Sequence, residues 1–187
     1  MNKKFPFIAI EGIDGVGKST CAKLLAEKMS AYYYKTPSGI FEKVRTTIDI
    51  SVDPYTRFIF YLGGTLYASE KIKKIVTYQP VVCDRYILST IIYHEAMGVN
   101  ISSIIQKQPT ILAPDYYIYL YADENTRTQR LISRNVISPS DIALENNKEL
   151  QRRIHYEFIK SPGMIHIDTS LISPEEVCDR ILKNIGG

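Results

Sequence analysis

The chain has no tryptophan, and only three cysteines and three histidines in 187 residues. Cys21, Cys83 and Cys178 lie far apart, with no C-x-x-C spacing and no clustered histidines. Neither a zinc site nor a disulfide framework is expected, and a reducing cytosol suits these thiols. No stretch approaches the roughly 18 apolar residues of a membrane span. The opening Met1-Asn2-Lys3-Lys4-Phe5-Pro6-Phe7 has no apolar run long enough for a signal peptide. Charge of one sign is also scarce: the formal net charge is +3 and no basic tract is concentrated. That argues against a nucleic-acid polymer as partner, and the scattered Lys and Arg suit a small anionic ligand. Repeats, low-complexity segments and linkers are missing too, so residues 1–187 are read as one cytoplasmic domain.

What is present is a chain long enough to bury a sizeable core, with strand-like and helix-like patterns in alternation. Phe5–Glu11 is an apolar run ending at glycine, read as a strand buried on both faces. Tyr32–Thr36, Val81–Cys83, Tyr116–Tyr121 and Met164–Ile167 read as four more short strands. Helical spacing follows Gly17 (Cys21, Leu24, Leu25, Lys28, Met29) and covers Ile40–Ile50. A longer helix starts at Asp53-Pro54, where Asp caps and Pro fits the first turn. Further helices are expected over Ile87–Met97, Ser102–Lys107, Asp123–Asn135 and a return segment through Lys160, with Val136–Asp141 as a loop. Ser173-Pro174-Glu175-Glu176 is a capping box that opens the last helix. Five strands alternating with helices predict an α/β fold with a five-stranded parallel sheet covered on both faces.

Gly12-Ile13-Asp14-Gly15-Val16-Gly17-Lys18-Ser19 fits G-x-x-x-x-G-K-[ST] in full. Glycines let the backbone fold round an anion so that successive N–H groups face phosphate oxygens, and the helix that follows adds its positive end. Lys18 can reach the outer phosphates, the Ser19 hydroxyl suits Mg²⁺, and Thr20 is placed near the α-phosphate. The buried strand before the motif and the amphipathic helix after it are the context it requires. ATP is therefore the expected ligand, with Mg²⁺.

The motif alone does not name a reaction. Asn147-Lys148-Glu149-Leu150 fails the last position of a GTPase N-K-x-D, and no D-x-x-G follows the third strand. Instead Val82-Cys83-Asp84-Arg85-Tyr86 sets a carboxylate and a guanidinium at a strand's C-terminal end, where open α/β sheets bind ligands. Asp84 can hold Mg²⁺ and Arg85 can grip an acceptor phosphate with parallel hydrogen bonds. A surface ion pair is the plainer alternative for these two residues.

Taken together, Glu11-Gly12-Ile13-Asp14-Gly15-Val16-Gly17-Lys18-Ser19-Thr20 and Asp84-Arg85-Tyr86, with Ser89 and Tyr93, resemble the motifs of the thymidylate kinases. Lys35-Thr36-Pro37 stands where that family has R-E-P, and Pro114-Asp115 and Ile167-Asp168-Thr169-Ser170 match as well, so the resemblance spans nearly the whole chain. It implies a three-layer α/β/α P-loop kinase with a short lid at about 134–143, and a homodimer. It places Asp14 near the acceptor's sugar hydroxyl, Arg85 near its phosphate, Phe60 against its base and Tyr93 in its sugar or base pocket, with Lys35 and Ser89 also among the substrate residues. Spacing alone would assign Phe60 and Tyr93 to ordinary core packing.

Arg127, Arg130 and Arg134 are three and four residues apart and share one helix face. Such a face either lies in solvent or covers ATP; the resemblance implies the latter, with Arg130 and Arg134 acting on the moving phosphoryl group because Gly15 replaces an arginine in the loop. It also implies that adenine lies near Ser170–Ile172 beside an arginine of that helix. The acceptor end departs from the family pattern. Gly64, after Gly63, stands where an arginine is usual, and Ile92 and His94 replace Ala and Gln. Two adjacent helix-interior glycines cost about 2 kcal/mol relative to alanine. Close approach of another helix, across a dimer interface for example, or room for a different base would each account for them. The expected reaction is ATP plus dTMP to dTDP plus ADP. A kinase for another nucleotide or a deoxynucleoside, and a non-catalytic ATP-binding module, are the alternatives.

Overall fold

The computed structural model describes residues 4–101, 104, 111–133 and 144–186. β1 (Phe7–Glu11) is buried along its whole length. Ile8 and Ile10 face a core shared with one helical layer, and Phe7 and Ala9 face the other, so neither side meets water. This two-sided burial is why a run without polar alternation forms a strand. The strand begins at Phe7 rather than Phe5.

The elements that follow are α1 (Lys18–Lys28), β2 (Tyr32–Lys35), α2 (Ile40–Ser51), α3 (Pro54–Ile75), β3 (Val81–Asp84), α4 (Ile87–Ala96), β4 (Tyr116–Tyr121), α5 (Glu124–Ile132), α6 (Lys148–Lys160), β5 (Met164–Asp168) and α7 (Pro174–Ile185). The five strands form one parallel sheet in the order β2-β3-β1-β4-β5. α1 and α7 pack together on one face, where Ala22, Leu25, Val177 and Ile181 meet Ile8, Ile10, Val82 and Ile118. α3 covers the other through Ala68, Ile72 and Ile75. Helix α4 packs on α3 and α6, and α2 lies on α3 with none of its own residues buried.

Local chemistry sets the helix starts. The Asp53 carboxylate accepts from the Tyr55 and Thr56 N–H groups (2.9 and 3.1 Å) ahead of Pro54, which needs no donor there. Ser173 accepts from Glu176 N–H (3.2 Å) ahead of Pro174. Each such cap contributes about 1 kcal/mol. The expected Ser102–Lys107 helix lies outside the described residues except for Ile104, as do the Val136–Asp141 loop and the lid at 134–143.

The connection from β1 leaves toward β2, whereas that from β3 crosses to β4 on the opposite side. β1 and β3 are paired neighbours, with Ile10 opposite Asp84. Their C-terminal ends therefore open a crevice at the point where the topology switches direction, which is where open α/β sheets bind ligands.

Candidate active site

The chain leaves β1 into the phosphate-binding loop. A Cβ on Gly12, at φ 143°, would stand 2.3 Å from the Leu120 carbonyl oxygen, so only glycine fits against β4. Gly17 is left-handed at the start of α1, which turns that helix's N-terminus toward the loop's concave side. Lys18 is buried; its Nζ donates to the Ile13 carbonyl (2.6 Å) and lies 3.5 Å from Asp14 Oδ1. Val16 is anchored from the far side, its carbonyl accepting from the Thr169 hydroxyl (2.9 Å) after β5. Thr20 follows on the exposed side of α1.

Ser19 Oγ donates to Asp84 Oδ2 at 2.5 Å, and Tyr33 donates to the same oxygen at 3.3 Å. These are hard oxygen donors at the ends of two different elements. Among the described residues no group of three or more His, Cys, Asp or Glu gathers as a metal cage. A pair of protein oxygens beside a phosphate loop fits Mg²⁺, which keeps most of its shell as water and phosphate oxygens.

Arg85 adopts a left-handed backbone, φ 66°, uncommon for a residue with a Cβ. Its turn is held from three sides. Its N–H donates to Ile10 O (2.9 Å), its carbonyl accepts from the Thr36 hydroxyl (2.9 Å), and the next N–H, of Tyr86, donates to the Glu11 carboxylate (3.1 Å). The guanidinium donates to Gly12 O (2.9 Å), Asp14 Oδ1 (2.7 Å), Ser89 Oγ and Tyr93 OH (3.3 Å each). Burial weighs against this cation, but Asp14 and Tyr93 outweigh it and hold its pKa well above the usual value. Burial likewise pushes the Tyr93 phenol up to about 12, with Arg85 pulling the other way. Glu11 is fully buried and accepts also from Ser89 Oγ–H. Burial pushes its carboxyl up to about 6, opposed by the Ser89 hydrogen bond and by Arg85.

These groups open into a cavity of about 530 Å³. Asp14, Lys18, Ser19, Lys35, Asp84, Arg85, Ser89 and Tyr93, all expected from the sequence, line it together. So do Arg45 and Asp49 of α2 and Arg57 and Tyr61 of α3, which sequence reasoning missed. Tyr61 OH donates to Asp49 Oδ1 (2.8 Å), and Arg45 Nε lies 3.4 Å from Asp49 Oδ2. Their i, i+4 spacing, Arg45 to Asp49 and Arg57 to Tyr61, was the available signal. His94 is buried between Phe58 and Tyr61. Its Nδ1 lies 2.7 Å from the Thr90 carbonyl; a carbonyl only accepts, so Nδ1 carries the proton. Burial lowers its pKa, which disfavours a catalytic cation.

Several expectations need correction. Phe60 does not line the cavity: it packs on Phe41 of α2, ring centroids 5.5 Å apart. One residue is a 100° step round a helix, and Tyr61 takes the cavity-facing position. The same packing bears on the first of the two glycines: a Cβ on Gly63 would come within 3.3 Å of the Phe41 ring, closer than usual, whereas one on Gly64 would make ordinary contact with it at 3.5 Å. The close approach is from α2 of the same chain. Arg127 and Arg130 do not present one face to ATP either. Arg127 turns inward and is buried. Arg130 does not line the cavity; it donates to Thr169 Oγ1 (3.0 Å) and Thr169 O (2.7 Å), which places it beside the loop expected to hold adenine. Arg134 lies outside the described residues.

The thymidylate kinase family model matches residues 10–181. A probable thymidylate kinase of Methanocaldococcus jannaschii is 33% identical over 186 residues, covering 96% of each chain. A Candida albicans thymidylate kinase structure superposes with a TM-score of 0.80 at 20% identity, over 100% of this chain and 93% of that one. A deoxyadenosine kinase of M. mycoides superposes with a TM-score of 0.72 at 18% identity, over 97% and 100%. At such identities the two structures speak for the fold alone.

Proposed function

The chain belongs to the thymidylate kinase family, and from that premise we propose that it transfers the γ-phosphate of ATP to dTMP, giving dTDP and ADP. One observation carries the reading: a single cavity joins a donor end, Lys18 with Ser19 and Asp84, to an acceptor end, Arg85 with Asp14 and Arg45. Arg45 and Arg85 lie within each other's field. Two guanidinium groups there suit a monophosphate better than an uncharged nucleoside.

In the transfer an oxygen of the acceptor phosphate forms the new bond to the γ-phosphorus, while the bond to the β–γ bridging oxygen breaks and ADP leaves. No enzyme nucleophile is required, so the protein's task is positioning and charge stabilisation. Arg85 holds the acceptor phosphate, oriented by Ser89, Tyr93 and Glu11. Lys18 and the loop N–H groups hold the donor phosphates. Mg²⁺ would be held by Ser19 and Asp84, and when bound it neutralises charge on the β- and γ-oxygens. Tyr61, lining the cavity in the place expected of Phe60, faces the acceptor base together with Asp49 and His94.

No described helix is long and apolar enough to cross a membrane; a cytoplasmic location and a homodimer belong to the proposal, and sedimentation of the purified chain tests the latter. An ADP-release assay across all nucleoside monophosphates and nucleosides tests the reaction. Turnover with dTMP above the other acceptors is expected; turnover confined to acceptors without thymine would sink the assignment.

A further inference from the structure

Arg127 is a buried cation, 3% exposed, that does not line the cavity. Its guanidinium is divided among three segments. Nε donates to the Asp14 carbonyl in the phosphate loop (3.0 Å), and Nη1 donates to Gln151 Oε1 on α6 (2.8 Å). Nη2 pairs with the Glu145 carboxylate. Gln151 in turn donates to the Leu144 and Glu145 carbonyls (2.9 and 3.3 Å), which fixes the far end of the network.

The contact with Asp14 has a geometric consequence. In a trans peptide the C=O and the N–H of the next residue point in opposite directions, and the cis bond among the described residues is Thr36–Pro37. Drawing the Asp14 oxygen toward Arg127 therefore turns the Gly15 N–H the other way, away from Arg127. The main chain of the same residue closes on the next atom. A Cβ on Gly15 would stand 2.9 Å from Arg127 O and 3.2 Å from its Cα, and Gly15 has φ 86°. Residue 127 thus grips the Asp14–Gly15 peptide with both its side chain and its backbone.

We propose that Arg127 is a positioning residue that sets the tilt of the Asp14–Gly15 peptide and aims the Gly15 N–H at the phosphates of ATP. The inference rests on the loop being the ATP site and is independent of the acceptor. A plainer role, tying α5 to α6 through Glu145 and Gln151, would leave ATP affinity untouched.

Calorimetric titration of the full chain with ATP, without acceptor, separates the two. Arg127→Met is expected to weaken ATP binding about tenfold or more, the worth of one charge-assisted hydrogen bond from the Gly15 N–H to phosphate. Arg127→Lys should shift in the same direction, because one ammonium cannot reproduce the fork across Asp14, Glu145 and Gln151. Glu145→Gln keeps an amide oxygen for Nη2 and leaves the Asp14 contact, so its cost falls on stability and ATP should bind within about twofold of wild type. ATP affinity unchanged in both Arg127 variants overturns the proposal. So does Glu145→Gln weakening ATP as much as Arg127→Met, since the effect would then come from packing. Should Arg127→Met fail to fold, the other two variants decide the same question. Turnover is not read in this experiment, so a wild type that binds ATP without phosphorylating dTMP counts against the kinase and not against Arg127.

Discussion

The Ser19 hydroxyl donates to Asp84 across 2.5 Å, joining the first turn of α1 to the end of β3. The two residues are 65 positions apart, and the pairing of β1 with β3 brings them together. Asp84 thus faces the loop's hydroxyl on one side and is followed directly by Arg85 on the other. The proposed metal site and acceptor-phosphate site share one turn of chain.

Ser19→Ala and Asp84→Asn should each lower kcat by about 100-fold or more. Both should raise the Mg²⁺ concentration needed for half-maximal rate, while ATP binding measured without Mg²⁺ changes little. Initial rates over a Mg²⁺ titration check this; an unchanged Mg²⁺ dependence would remove the pair from the metal site.

Arg45→Ala should raise the acceptor KM about tenfold, the loss of one charge-assisted hydrogen bond, and leave the ATP KM in place. Arg85→Ala should lose more and lower kcat as well, because Arg85 also bonds Asp14, Ser89, Tyr93 and Gly12. Steady-state kinetics varying each substrate in turn separates the two arginines.

Much of this site was legible in the sequence because its residues lie within a few positions of a loop or a strand end. Gly12 to Ser19, Asp84 and Arg85 are fixed by short-range motifs, and β1 by an apolar run with nowhere polar to face. The cavity wall supplied by α3 was legible only in part, because it depends on which way a helix is rotated. A rotation of one residue exchanges Phe60 for Tyr61, and nothing local to α3 states that Phe41 of α2 fills the groove over Gly63 and Gly64. Arg127 was misplaced for a related reason. Its spacing to Arg130 describes a shared face, but the Asp14 carbonyl, Gln151 and Glu145 that draw it inward come from distant segments.

The exchange of Phe60 for Tyr61 can be tested. Phe60→Ala should cost about 2 kcal/mol of stability, roughly half the loss for a fully buried Phe, with the acceptor KM little changed. Tyr61→Phe, which leaves Asp49 Oδ1 without its phenolic donor, should raise the acceptor KM several-fold at nearly constant stability. Urea denaturation and acceptor kinetics on both variants would show whether the two effects divide in this way.

Glu11 makes a prediction about pH. Its carboxyl is pushed from 4.5 up to about 6 in the folded chain, first by burial. Between those values the folded state binds more protons than the unfolded state, so stability falls as pH rises through that window. The favourable contribution is complete below pH 4.5 and lost by about pH 6 to 7, a difference of about 2 kcal/mol. Glu11→Gln keeps an amide oxygen for the Tyr86 N–H and has no charge to bury. It should therefore be flat across the window and more stable than wild type at pH 7 by about 2 kcal/mol, with the two converging near pH 4.5. Keeping a carboxylate there is consistent with its work on the left-handed turn at Arg85 and on Ser89, so the same variant should hold the acceptor phosphate less well. Urea denaturation from pH 4 to 8 measures the first effect and acceptor KM the second. A wild-type stability that rises between pH 4.5 and 6.5 relative to Glu11→Gln would show that Glu11 is ionised and favourably paired rather than penalised by burial.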